Sequence, residues 1–249
     1  MTIQQGNAGI YSDDFSDVSA SNTLWDTTTR INGGSVSFQG AGTADATCTV
    51  SVPAGSPHDA WVDDQACQVL QPTNGAAFDI QAKFQGTAPS IQFQERGLIV
   101  RDDTTTSFLR YDNFSADATD VGDFYFFSAM LDPGVTGKNP LQSAAFPQQS
   151  DVWMRIIWDP TGDGGNGSMQ LYFSFDLPNL GWTLWRTIDY STVQPTCQVF
   201  PTHVGFFGGN EGSNPAYDAT IDWFMEASAT IDPEDDLNTP TPTRMTVIS

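Results

Sequence analysis

The chain has 249 residues, and 30 Asp+Glu against 9 Lys+Arg leave it with a formal net charge of −21. A surface of that sign repels nucleic acid phosphates and anionic membranes, which removes both as partners. With 7 Trp, 17 Phe and 6 Tyr there is bulky core material for one large β domain or two small ones.

The opening Met1-Thr2-Ile3-Gln4-Gln5 has neither a basic start nor an apolar signal core, and no apolar run reaches the length of a membrane span. The chain is therefore expected outside the cell or on a virion surface with no signal peptide of its own, released by lysis or carried inside an assembly. Strand signals then recur between clusters of Gly, Pro, Asn and Asp. They cover 35–39, 47–52, 66–71, 78–84, 91–102, 107–114 and 123–131 in the first half. In the second half they cover 152–159, 169–176, 183–189, 203–207 and 219–227. The alternation is cleanest where Phe78, Ile80, Ala82 and Phe84 point one way and Asp79, Gln81 and Lys83 the other, a dry face and a wet one. Met169, Leu171, Phe173 and Phe175 alternate with Gln170, Tyr172 and Ser174. Ala219, Ile221, Trp223 and Met225 alternate with Thr220, Asp222, Phe224 and Glu226. No window sustains a helical apolar stripe. Roughly a dozen strands and very little helix predict an all-β jelly-roll sandwich of two antiparallel sheets.

Between these strands, 52–61 (VPAGSPHDAW) reads as a Pro/Gly-punctuated loop in which Asp59 can bond the backbone while His58 braces it. The longest expected loop runs over 132–150, and Leu141, Ala144, Ala145 and Phe146 make it too apolar for a free linker. It is expected to pack over a sheet edge or lip. The sandwich is assigned to 1–231. From Asp232 the chain turns acidic, then Pro/Thr-rich, and ends in the β-prone Met245-Thr246-Val247-Ile248-Ser249. This extended tail, 232–249, is expected to dock on its own body or on a neighbouring protein subunit as an added strand. Cys48, Cys67 and Cys197 cannot all pair within one chain. Cys48 and Cys67 either form a bridge across neighbouring strands or join Cys197 as buried thiols.

Several of these segments carry a resemblance. Asp13-Asp14-Phe15-Ser16 with Leu24-Trp25, VPAGSPHDAW, QVLQ with FDIQAKF, and QFQERGLIVRDD with FLRYDNFS occur in the order found in concanavalin A-like lectin/glucanase domains. Trp182-Thr183, VGFFGGN and IDWF complete the series. The chain most resembles the β-xylosidase C-terminal-like (enolase-regulation-type) modules over about residues 12–228. That resemblance implies the same sandwich and a non-catalytic module that binds glycan.

The residues agree that catalysis is absent. Glycoside hydrolysis needs two carboxyls at fixed separation across a cleft, and the Glu-x-Asp-x-x-Glu strand motif of glucanases with this sandwich is missing. His58 and His203 are the two histidines, with no Gly-x-Ser-x-Gly elbow and no paired zinc-ligand spacing. Calcium is harder to dismiss: Asp159, Asp163 and Asn166 place oxygen ligands on one sharp loop, although the same residues equally make a Gly/Asp hairpin turn. No other cofactor is indicated. A sugar or polysaccharide needs an aromatic platform flanked by planar polar groups, for which Trp61, Gln94, Arg96, Arg110, Asp112 and Asn210 are the candidates. Against each stands a structural role: Arg110 can bridge Asp112 or Glu95, and Trp61 can plug the end of the sandwich. Two functions remain open, a glycan-binding surface module and a structural capsid-decoration or tail component of a virion, with a hydrolase third.

Overall fold

The structure, a computed structural model, describes residues 3–43, 45–61, 63–115, 123–132, 138–147, 149–211 and 215–231, without the side chains of 123–125 and 138–147. Fifteen strands are present among them. They are β1 (Ile3–Gln5), β2 (Tyr11–Asp13), β3 (Ser35–Gln39), β4 (Thr47–Val52), β5 (Cys67–Pro72), β6 (Phe78–Gln85), β7 (Glu95–Arg101) and β8 (Phe108–Phe114). There follow β9 (Asp123–Leu131), β10 (Lys138–Pro147), β11 (Val152–Asp159), β12 (Ser168–Ser174), β13 (Thr183–Asp189), β14 (His203–Gly209) and β15 (Tyr217–Glu226).

They form two antiparallel sheets. The larger has nine strands, β1-β2-β15-β6-β11-β12-β13, with β4 also paired to β15 and β3 paired to β4. The smaller has six, in the order β10-β9-β8-β7-β14-β5. Between them lies one apolar layer. Phe78, Ile80, Ala82 and Phe84 of β6 enter it from the larger sheet; Leu98 and Val100 of β7 and Val204 and Phe206 of β14 meet them from the smaller. The two-residue period thus puts the intended faces together.

Four differences from the sequence reading have physical causes. First, the alternation along β15 does not run through: a bulge between Ile221 and Trp223 sends Ala219, Ile221 and Phe224 into the core and Trp223 and Met225 to the outer face. Second, the outer face of β6 is not wet. Gln81 and Lys83 are buried beside Trp153, Trp223, Met225 and Ile231, with Lys83 paired to Asp222 at 2.6 Å. Third, the expected 132–150 loop contains β10, an edge strand that lengthens the smaller sheet. Fourth, a short helix, α1 (Val18–Leu24), follows β2, capped by the Asp17 side chain on the Ala20 N–H at 3.1 Å. The expected tail docking falls on 232–249, outside the described residues.

Cys48 and Cys67 lie in opposite sheets, and all three thiols are free and buried. Of the two readings left open for the cysteines, buried thiols are the one observed.

Candidate functional site

The 53–66 loop crosses the outer face of the smaller sheet. At its start His58 is clamped: its N–H donates to Asn210 Oδ1 at 3.0 Å, and its ring nitrogens lie 3.0 Å from the carbonyls of Ser56 and Asn32. The Asp59 carboxylate turns the chain by accepting the Trp61 N–H at 2.7 Å. At the far end Asp64 receives a forked pair from Arg101, at 2.7 and 2.6 Å. The loop therefore works as a strap, tied at both ends and packed through Ala60 and Ala66 on Leu70, Ile99 and Phe207.

Under the strap is a buried charge cluster. Residues 95 and 110, on paired strands, project to the outer face by parity. Arg110 donates to Asp112 through Nε at 2.8 Å and Nη2 at 2.7 Å, and Nη2 also donates to Glu95. The guanidinium lies over the Phe127 ring at 4.8 Å, and Trp61 meets the same ring edge-on at 5.4 Å. Burial pushes the Glu95 carboxyl up to about 8 against the pull of Arg110, with the charges of Asp112 and Asp59 adding to the rise. Burial raises the Asp112 carboxyl as well. At neutral pH, then, Glu95 mostly keeps its proton beside the Arg110–Asp112 contact.

Of the six candidate sugar ligands, the structure brings together Trp61, Arg110 and Asp112. The other three are elsewhere. Arg96 faces inward, donating to the Gln85 and Ser150 carbonyls at 2.8 and 2.7 Å. Gln94 accepts the Ser90 and Ile91 N–H groups at 3.0 Å and donates to the Ala216 carbonyl. Asn210, besides holding His58, donates to the Pro53 and Pro215 carbonyls. These three brace turns, and each is buried. Arg110 with Asp112 and Glu95 is the cross-strand bridge that the sequence offered as the structural alternative.

The Asp159 turn is likewise self-contained. Asp159 Oδ1 accepts the Thr161 N–H and hydroxyl at 2.8 and 2.7 Å, Asp163 Oδ2 accepts the Ser191 N–H at 2.6 Å, and Asn166 Nδ2 donates to the Asp163 carbonyl at 2.8 Å. These bonds hold both carboxyls below the usual range. Among the described residues no three His, Cys, Asp or Glu side chains gather as a metal set.

Beside that turn, a cleft of about 400 Å³ opens where β5 and β7 end and β14 begins. It is lined by 73–75, 102, 104, 158–166 in part, and 200–202. Phe200 stands at its rim with 51% of its surface exposed. The ring rests edge-on against Tyr190 at 5.7 Å, and Tyr190 in turn packs on Trp158 at 5.2 Å. Beneath, the buried Asp102 accepts the Thr104 N–H and hydroxyl at 2.9 and 2.5 Å and the Phe200 N–H at 3.4 Å. Sequence reasoning missed Phe200 because it lies in an irregular segment outside any alternation. Its signal was an aromatic residue followed by Pro201 just before a strand.

No family model matches the chain, and no curated protein sequence matches it. Solved structures match in fold. The xylan β-1,4-xylosidase of Bacillus halodurans C-125 is 15% identical, with a TM-score of 0.59 over 86% of this chain and 38% of that one. The CBM2 module of the evolved Dit of Lactobacillus casei BL23 phage J-1 is 10% identical, with a TM-score of 0.56 over 93% of this chain and 99% of that one. A glycoside hydrolase family 16 endo-glucanase from Bacteroides ovatus is 11% identical, with a TM-score of 0.51 over 86% and 98%. The chain spans about a third of the length of the GH43 enzymes it matches. At such identities the likeness shows the fold: a β-sandwich shared with sugar-related proteins.

Proposed function

We propose that this chain is a non-catalytic, lectin-like module that holds polysaccharide and is displayed on the surface of a larger assembly. The observation that carries this reading is the sealing of the carboxyl cluster. Asp59, Glu95 and Asp112 are 5, 5 and 0% exposed, and the last two converge on one guanidinium beneath the strap. Hydrolysis requires two carboxyls open to a scissile bond and to water. Here a carboxyl with a raised pKa is walled in instead of presented, which favours a structural use. The neighbours support the sugar half: the names of two carry xylan and glucan chemistry, and a third is the CBM2 module of a phage Dit.

Affinity electrophoresis through gels cast with polysaccharide, run beside a reducing-end assay, tests the proposal. Retardation by at least one polysaccharide without release of reducing ends is expected; release of reducing ends would reverse the non-catalytic assignment. A second reading, a purely structural virion component, is favoured by the phage Dit module, which this chain matches along nearly its whole length. Retardation by no polysaccharide leaves that reading in place.

A further inference from the structure

We infer that the cleft beside Phe200 is the binding site, and that it takes an uncharged polysaccharide. The inference rests on the polysaccharide-binding reading above and adds to it a place and a ligand class. A pyranose ring offers an apolar C–H face ringed by hydroxyls, so its site needs an exposed aromatic face held still between amide and hydroxyl groups. Phe200 is half exposed, yet its position is fixed: the Tyr190 ring packs against it near a right angle, and Asp102 holds the main chain at the same residue. Ordering the ring therefore costs little when a ligand arrives.

The flanking groups have unused valence. Asn74 Oδ1 accepts the Ala76 N–H at 3.0 Å, which leaves its Nδ2 to donate; Asn166 Nδ2 donates to Asp163, which leaves its Oδ1 to accept. A donor and an acceptor lining the same cleft as an exposed aromatic ring fit the hydroxyls of a sugar. Trp61, by contrast, has its ring against Phe127 and lies beside a sealed cluster.

Charge selects the ligand class. The lining contains Asp102 and no Lys or Arg, on a chain of net charge −21. A uronate or sulfated polymer would meet like charge with no cation to receive it.

The test uses the full chain with Phe200→Ala, Phe200→Trp and Trp61→Ala, in gels containing neutral xylan, neutral β-glucan or polygalacturonate. Wild type is expected to be retarded by a neutral polymer at both low and high salt. Phe200→Ala is expected to weaken retention about tenfold, the loss of one stacking contact. Its melting temperature should fall by no more than a few degrees, the loss of the Tyr190 contact, with the fold intact; Phe200→Trp should bind as well as or better than wild type. Wild-type retention that survives Phe200→Ala, or that falls with Trp61→Ala alone, overturns the site and leaves the module reading standing. Preference for polygalacturonate overturns the ligand class. Failure of wild type on every polymer overturns the inference together with the reading beneath it.

Discussion

Arg110 faces three carboxyls with a single positive charge, and all four side chains are cut off from water. Removing it strands ionisable groups in the interior, which typically costs about 3–5 kcal/mol. Arg110→Met should lower the urea midpoint accordingly, with an unchanged m value. Glu95 supplies the pH counterpart. Its folded-state value near 8 lies above the ordinary 4.5, so the folded protein keeps a proton that the unfolded chain releases. Its contribution is complete below about 4.5 and drains away as pH rises toward 8. Glu95→Gln should therefore gain on wild type across that window in thermal melts taken at stepped pH. A parallel difference at every pH would mean that Glu95 does not titrate there. For the Asp159 turn, whose oxygens already accept protein N–H and O–H groups, calcium followed by EDTA is expected to leave the melting temperature where it was. The two-residue spacing of Arg110 and Asp112 made their shared face legible in the sequence. Their burial was not, because the strap that covers them comes from residues some fifty positions earlier, tied down by Arg101 and Asn210.

Strands announce themselves by alternation or by short apolar runs between turn residues, and the sequence boundaries fall within a residue or two of β4, β6, β8 and β11. What escaped was too short or too interrupted. β1 and β2 have three residues each, below any detectable period. β10 carries Pro140 and Pro147, tolerated because it borders the sheet and owes hydrogen bonds to β9 alone. The β15 bulge shifts the apolar phase by one residue, which reads in sequence as a strand that is apolar on both sides. Close approach is the other hidden constraint. A methyl on Gly97 would land on the Tyr111 carbonyl and on Asp112, the central β7–β8 contact beneath the charge cluster. Gly97→Ala is predicted to cost about 1–3 kcal/mol by overpacking, checked by denaturant titration.

Taken whole, the molecule is a thick apolar sandwich in a strongly anionic coat. Like charges across the surface oppose compaction, and salt shortens their reach from about 30 Å at 0.01 M to about 3 Å at 1 M. The melting temperature should accordingly climb with added sodium chloride; a flat response would show that repulsion is already balanced locally. The thiols test the same interior. Burial pushes Cys67 up to about 11 and raises Cys48 and Cys197, so all three should ignore a thiol reagent in native buffer and react together once the fold is lost. The general architecture was visible in composition and period. The cleft was not, since Asn74, Asp102, Asn166 and Phe200 come from four segments that meet where several strands of the two layers end.

The scarcity of cations has a consequence for how the protein meets proteases. Trypsin needs an extended Lys or Arg segment in its active site, and this chain offers 9 such residues. Lys83, Arg96, Arg101, Arg110, Lys138, Arg155 and Arg186 all belong to strands, and Arg30 is tethered to Asp64 and Asp103. Only Arg244 falls outside the described residues. Tryptic cleavage upstream of that residue must wait for the ladder to open, so its rate in native buffer becomes a clock for rare global excursions.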